Sequence, residues 1–207
     1  MTTRGTGAGE PPAVMVDRKA AARAIEDFLR ALGYELTGEL KGTGERVADA
    51  WADDLVEGEA IDAAALLREG SLEADADGAG LVVLRDLALT TMCPHHLLPA
   101  HGTALIAYLP GDRIAGIGTI AHVVDVLARR LTLQERIGAD LTAILVHELG
   151  AQGALCRLSL THSCLIARGE RKAGAVVETI AVAGTFAHSG PDRELAFTAL
   201  AARSGGG

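Results

Sequence analysis

With 207 residues, 49% of them hydrophobic but only 3% aromatic, the chain can build one domain of ordinary size around an aliphatic core. A formal net charge of −8 argues against a nucleic-acid partner, so any anionic small molecule needs a local cationic pocket in an acidic body. No apolar run approaches the ~20 residues that span a bilayer, the N-terminus lacks the apolar stretch of a secretory signal, and three cysteines cannot close a paired disulfide framework. A cytoplasmic protein without a membrane partner is expected, its thiols serving as ligands or nucleophiles.

In chain order, residues 1–14 are polar and rich in Gly and Pro, which predicts a disordered lead; residues 204–207 predict a frayed tail. Residues 15–80 read as an N-terminal helical region. Within it, Ala21, Ile25, Phe28, Leu29 and Leu32 recur at three- and four-residue steps, predicting a helix over 17–32. A second helix is expected from Thr43, a candidate N-cap, with Val47, Trp51 and Leu55 on one stripe. Residues 69–80, rich in Glu, Asp, Ala and Gly, predict a loop.

Residues 81–203 form the second region. Residues 81–92 and 103–109 predict strands, the latter followed by the turn signal Pro110-Gly111-Asp112. Ile120, Val123, Val124 and Leu127 mark one helix, and Leu133, Ile137, Leu141, Ile144, Leu145 and Leu149 a second. Residues 155–166 and 176–182 predict two further strands. The order predicts an α+β fold, a four-stranded antiparallel sheet with a helical pair between its second and third strands, packed on one face.

The chemistry-bearing segment is Thr91-Met92-Cys93-Pro94-His95-His96. Pro94 cannot donate to a ladder, so the chain turns there. In that turn a Cys-x-x-His spacing directs Cys93 and His96 into one concavity, as at zinc sites, and leaves the adjacent His95 free for proton transfer. A second segment, Leu158-Ser159-Leu160-Thr161-His162-Ser163-Cys164, places His162 and Cys164 on one face if it is a strand throughout. Cys164 then completes a three-ligand set whose open fourth position takes a water, with a pKa lowered by zinc to roughly 7.

Taken singly, each of these residues has a plainer explanation. An isolated cysteine is more often a small buried hydrophobe, and Cys156 is assigned to the core. His147 and His188 are assigned structural roles; His147-Glu148 opens a metalloprotease-like pattern that fails at Ala151. The Gly-rich pieces at 5–9 and 42–44 lack the Lys-Ser/Thr of a phosphate loop and are assigned as linkers. Two Cys/His pairs of matching geometry outweigh those alternatives.

Cys93-x-His95-His96, Leu133-Gln134-Glu135-Arg136 and His162-x-Cys164-x-x-Ala167-Arg168-Gly169, in this order, resemble the GTP cyclohydrolase I family from about Thr43 to Leu195. The resemblance implies the tunnelling fold, in which sheets from several subunits close a barrel, and a homo-decamer of two pentamers with active sites at subunit boundaries. It implies zinc on Cys93, His96 and Cys164, with His95 and His162 moving protons. Glu135, with Gln134 beside it, would hold the guanine ring, and Arg46 and Arg168 the phosphates of GTP. Asp49, Thr119 and His122 stand where the family has Lys, Lys and Arg, so Thr119 and His122 are carried as altered substrate contacts. Two alternatives stay open, a zinc hydrolase of a less phosphorylated guanine compound or related purine and a non-catalytic purine- or pterin-binding homologue; commitment of both site cysteines to metal argues against a third, nitrile reduction on the same fold. The last needs a free thiol nucleophile.

Overall fold

The computed structural model describes residues 16–74 and 80–202. The expected disordered lead, the expected tail and residues 75–79 of the expected 69–80 loop lie outside the described residues; the part of that loop that is described holds the end of a helix and a short strand instead. The chain divides into two compact units, one ending at Ala52 and the other beginning at Asp53.

In the first unit, helix α1 (Arg18–Ala31) starts where Asp17 accepts a hydrogen bond from the Ala20 amide at 2.9 Å, an N-cap that satisfies one orphan donor. Helix α2 (Thr43–Ala50) packs against α1, and the chain continues as a π-helical turn over Trp51–Leu55. Gly44 is the point of closest approach: a Cβ there would meet the Ala22 carbonyl oxygen at 2.5 Å. Arg18 and Asp49 pair across the two helices at 3.1 Å.

The second unit opens with helix α3 (Ala63–Glu69), capped by Asp62, and strand β1 (Ser71–Glu73). Strands β2 (Val82–Met92) and β3 (Pro99–Leu109) form a long hairpin, and β4 (Arg113–Ala115) pairs with β1 in a separate two-stranded ribbon. Helices α4 (Ile117–Ala128) and α5 (Gln134–Leu149) follow, then β5 (Gly153–His162), the short helix α6 (Ser163–Ile166), β6 (Val177–Gly184) and helix α7 (Pro191–Ala201). The four-stranded sheet runs β2-β3-β5-β6, antiparallel throughout, with α4 and α5 inserted between β3 and β5. This is the tunnelling-fold topology the sequence predicted.

Alternation along the strands creates two cores. Ala104, Ile106, Tyr108, Cys156, Leu158 and Leu160 face α4 and α5, while Leu105, Ala107 and Leu155 face Phe186 and Ala196 on the other side. Helix α7 therefore covers part of the second face, an element the sequence reading did not predict. Nor did it predict α3, or the β1–β4 ribbon at the edge of the expected loop. Gly150 closes α5 in the left-handed conformation at φ 60°, a position glycine takes without strain.

Two strand boundaries differ from expectation. β3 begins four residues earlier than predicted, at Pro99; a proline is tolerated as the first residue of a strand because no ladder donor is needed from it. β5 ends at His162 rather than continuing to Ile166, because the chain turns into α6.

Leu141 is fully buried in the larger core beneath the sheet. Leu141→Ala is expected to lower the free energy of unfolding by about 2–5 kcal/mol, through lost transfer energy and a residual cavity. Urea denaturation followed by circular dichroism measures it.

Candidate metal centre and adjoining pocket

Three strand ends build the site. Thr91 on β2 pairs with Ala100 on β3, and Ala100 pairs with His162 on β5, so the three side chains lie in a row on one sheet face. Immediately beyond the row, the Cys93 amide donates to the Leu98 carbonyl at 3.0 Å and the Leu97 amide to the Cys93 carbonyl at 2.9 Å. Those bonds close a tight turn, with Leu97 in the left-handed region at φ 53°, and hold Cys93 and His96 together.

Cys164 arrives differently from the expectation. It sits in α6, not on a strand with His162, and a helical step of roughly 100° per residue takes it off the His162 face. The site still closes: the ligand atoms of Cys93, His96 and Cys164 all lie within 4.8 Å of one another, the one such group of three among the described residues. Zn–S and Zn–N bonds of about 2.3 and 2.1 Å would set donors roughly 3.5–3.8 Å apart, close to the spacing these three atoms already have. Two thiolates and an imidazole suit zinc, and a fourth position remains open for catalysis. Zinc on Cys93, His96 and Cys164 is the cofactor of this site.

Electrostatics favour a cation here. Burial, and then the neighbouring Cys93 sulfur, push the Cys164 thiol above its ordinary pKa, while Arg168 pulls it down. A divalent cation relieves the mutual repulsion of two thiolates and deprotonates both. Arg168 Nη1 donates to His96 Nε2 at 2.7 Å, which places that guanidinium at the metal ligand itself. His95 is exposed, its Nδ1 3.7 Å from the Cys93 sulfur.

A cavity of about 200 Å³ adjoins the ligands, lined among others by Thr91, Ala100, Leu133, Glu135, His162 and Val177. Glu135 lies exposed in the first turn of α5, where the helix dipole favours a carboxylate. Gln134, expected beside the ring, lines the same cavity. It is 3% exposed, and its Nε2 lies within hydrogen-bonding distance of the Leu158 carbonyl (3.1 Å), the Val177 carbonyl (3.0 Å) and Thr179 Oγ1 (3.1 Å). Those partners fix the amide's orientation, so its Oε1 accepts from His162 Nε2 at 2.8 Å. Nε2 must then carry the proton, and in the neutral ring Nδ1 is the free base. Burial lowers the His162 pKa, with the Glu135 carboxylate opposing that shift.

The expected phosphate contacts divide between the two units. In the first unit the Arg46 guanidinium is held by the Lys41 carbonyl (2.9 Å), the Glu39 carbonyl (3.2 Å) and Thr43 Oγ1 (3.0 Å), and Asp49 is paired with Arg18. In the second unit Thr119 Oγ1 donates to the Gly70 carbonyl at 3.3 Å, and His122 is exposed on α4. Neither Thr119 nor His122 lines the cavity beside the metal ligands. Cys156 is core, as assigned, its thiol pushed up to about 12 by burial. His147 and His188 are exposed rather than built into the interior.

Sequence reasoning missed Thr91. It is 3% exposed, lines the cavity, and its Oγ1 has no hydrogen-bond partner among the described residues. Its place in the strand was legible; the unmatched hydroxyl was not.

An open three-ligand zinc centre beside a histidine and a carboxylate, at the end of a tunnelling-fold sheet, defines a zinc hydrolase. The family profile described as GTP cyclohydrolase I matches residues 21–201. The GTP cyclohydrolase 1 of Leifsonia xyli subsp. xyli is 38% identical over 180 residues, covering 86% of this chain and 93% of its own. That of Chromobacterium violaceum is 40% identical over 172 residues, 82% of each chain. Among solved structures, the apo archaeosine synthase QueF-Like covers 51% of this chain and 95% of its own at 19% identity and a TM-score of 0.43, too distant to add to the assignment. The chain belongs to the GTP cyclohydrolase I family.

Gln134 is a positioning residue in this arrangement. Gln134→Ala is expected to keep one zinc per chain while lowering kcat by about tenfold to a hundredfold, because His162 loses its fixed tautomer and direction. Zinc analysis beside steady-state kinetics checks it; parallel loss of zinc would make the role merely structural.

Proposed function

We propose that the chain hydrolytically opens the imidazole ring of GTP, giving 7,8-dihydroneopterin triphosphate and formate from GTP and one water, the first step of tetrahydrofolate and pterin synthesis. The observation that carries this is the Cys93/His96/Cys164 cluster, whose two cysteines line one cavity with His162 and Glu135. Relatives named GTP cyclohydrolase 1 support the substrate.

When bound, zinc supplies the Lewis acidity that lets water act as a nucleophile near neutral pH. The chain's own groups do the rest. The Glu135 carboxylate accepts hydrogen bonds from guanine N–H groups, which discriminates against purines lacking those donors. That contact orients C8 toward the metal ligands. His162, through Nδ1, and His95 move protons at the imidazole and ribose parts of the substrate. Apolar walls from Leu133, Ala100 and Val177 exclude bulk water from the ring.

His162→Ala is expected to retain zinc and slow formate release at least roughly a hundredfold, within the 10²–10⁴ typical of acid–base groups. Cys164→Ala, by contrast, should lose zinc and activity together. Metal analysis and formate assays on the two purified variants separate these outcomes.

The occupied Arg46 and the Arg18–Asp49 pair favour one second reading, hydrolysis of a less phosphorylated guanine compound. Formate release from GTP, GDP, GMP and guanosine decides between them. A cytoplasmic location belongs to the same reading, supported by thiols committed to metal and core rather than to disulfides. No helix of the described residues is long and apolar enough to cross a membrane.

The working form we propose is a homo-decamer of two pentamers. β2 and β6 are open sheet edges, and β6 presents Ile180 half exposed. Closing a barrel with further copies removes those edges. Light scattering should report an assembly far larger than a dimer; a monomer at micromolar concentration would contradict it.

A further inference from the structure

We propose that Arg171 and Lys172, in the loop after α6, form the subsite for the substrate's phosphate tail; the assignment rests on the proposed function. The cavity beside the metal ligands is lined by the Glu135 carboxylate and by no described Lys or Arg, so it offers a polyphosphate no guanidinium or ammonium partner. A polyphosphate must therefore leave the ring pocket and meet cations at its mouth.

The loop is folded to supply them. The Ala167 amide donates to the Ser163 carbonyl at 2.9 Å, the Arg171 amide to the Arg168 carbonyl at 3.2 Å, and the Lys172 amide to the Leu165 carbonyl at 3.1 Å. The last bond brings the Lys172 backbone against the residue that follows the ligand Cys164. Arg171 holds the turn in the left-handed region at φ 47°. Both side chains are exposed, and neither has a hydrogen-bond or ion-pair partner among the described residues.

The other described cations of this unit are mostly engaged. Arg68 pairs with Glu148, Arg129 with Glu57, and Arg113 donates to Ser71. Arg85, Arg130 and Arg193 donate to backbone carbonyls, and Arg168 to His96. Arg157 stands opposite Leu105 and Ile180, on the sheet face away from His162. Arg136 remains, next to Glu135 on α5, and serves as the comparator. Against the loop's three cations stands one carboxylate, Glu170. Charge-assisted bonds to phosphate from Arg and Lys are among the stronger polar contacts, and in an exposed loop they weaken as salt rises.

The test is steady-state formate release from GTP and GMP by the zinc-loaded protein, with zinc per chain quantified, comparing the parent with Arg171→Asn/Lys172→Gln, Arg171→Lys/Lys172→Arg and Arg136→Gln. Asparagine is chosen because it tolerates the positive φ at position 171. The neutralised double variant should keep its zinc, raise KM for GTP at least roughly tenfold with kcat within about threefold, and lose preference for GTP over GMP, the signature of lost uniform binding. Its KM should also respond less to added potassium chloride than the parent's, and the charge-conserving pair should restore GTP handling. A KM for GTP within about twofold of the parent, or a larger rise in Arg136→Gln, overturns the assignment. A parent that releases no formate from either nucleotide overturns the proposed function, and the subsite with it.

Discussion

Everything at the site depends on the register that sets Thr91 against Ala100 and Ala100 against His162 at one end of the sheet. Because side chains alternate with a period of two, slipping either pairing by one residue would turn His162 or Thr91 to the opposite face. With that register, Cys93, two residues beyond Thr91, and Cys164, two beyond His162, lie past the ends of β2 and β5, the two strands that flank β3. The metal site is thus a consequence of sheet geometry, closed by the Cys93–Leu98 turn and by α6. An isolated bridge between Met92 and Leu131 ties the α4–α5 connection to the same strand end, which brings Glu135 beside the ligands.

Gln134 couples the helical layer to that sheet end. A buried amide is costly unless its donors and acceptor are satisfied, and here the first residue of α5 reaches Leu158, Val177 and Thr179 with its nitrogen and His162 with its oxygen. One side chain anchors α5 to β5 and β6 and orients a histidine in the cavity beside the metal ligands. Fold stability and the orientation of His162 therefore share a residue.

Charge is arranged with similar separation of roles. In the first unit, Asp49 is neutralised by Arg18 and the Arg46 guanidinium is bound to its own helix start. In the second, most arginines fasten loops and strands to one another. Arg171 and Lys172, in the loop after α6, stay exposed.

Much was legible in the sequence. The strand–helix–strand order, the aliphatic core including Cys156, and the ligand trio could all be read from periodicity and Cys/His spacing, because those signals are local. Tertiary structure decided what depends on distant partners. The turn into α6 moved Cys164 off the strand face without dispersing the ligands, and no local pattern distinguishes a strand continuing past His162 from one that turns there. The anchoring role of Gln134 was not legible, because its four partners come from positions 24 to 45 residues away in sequence. Arg46 and Thr119 found nearby backbone carbonyls. Sequence determined which groups can bind a metal, carry protons or hold charge, since that is chemistry of the side chain alone; only the packed chain decided which of them remain free to do so, because hydrogen bonds and burial are settled by neighbours.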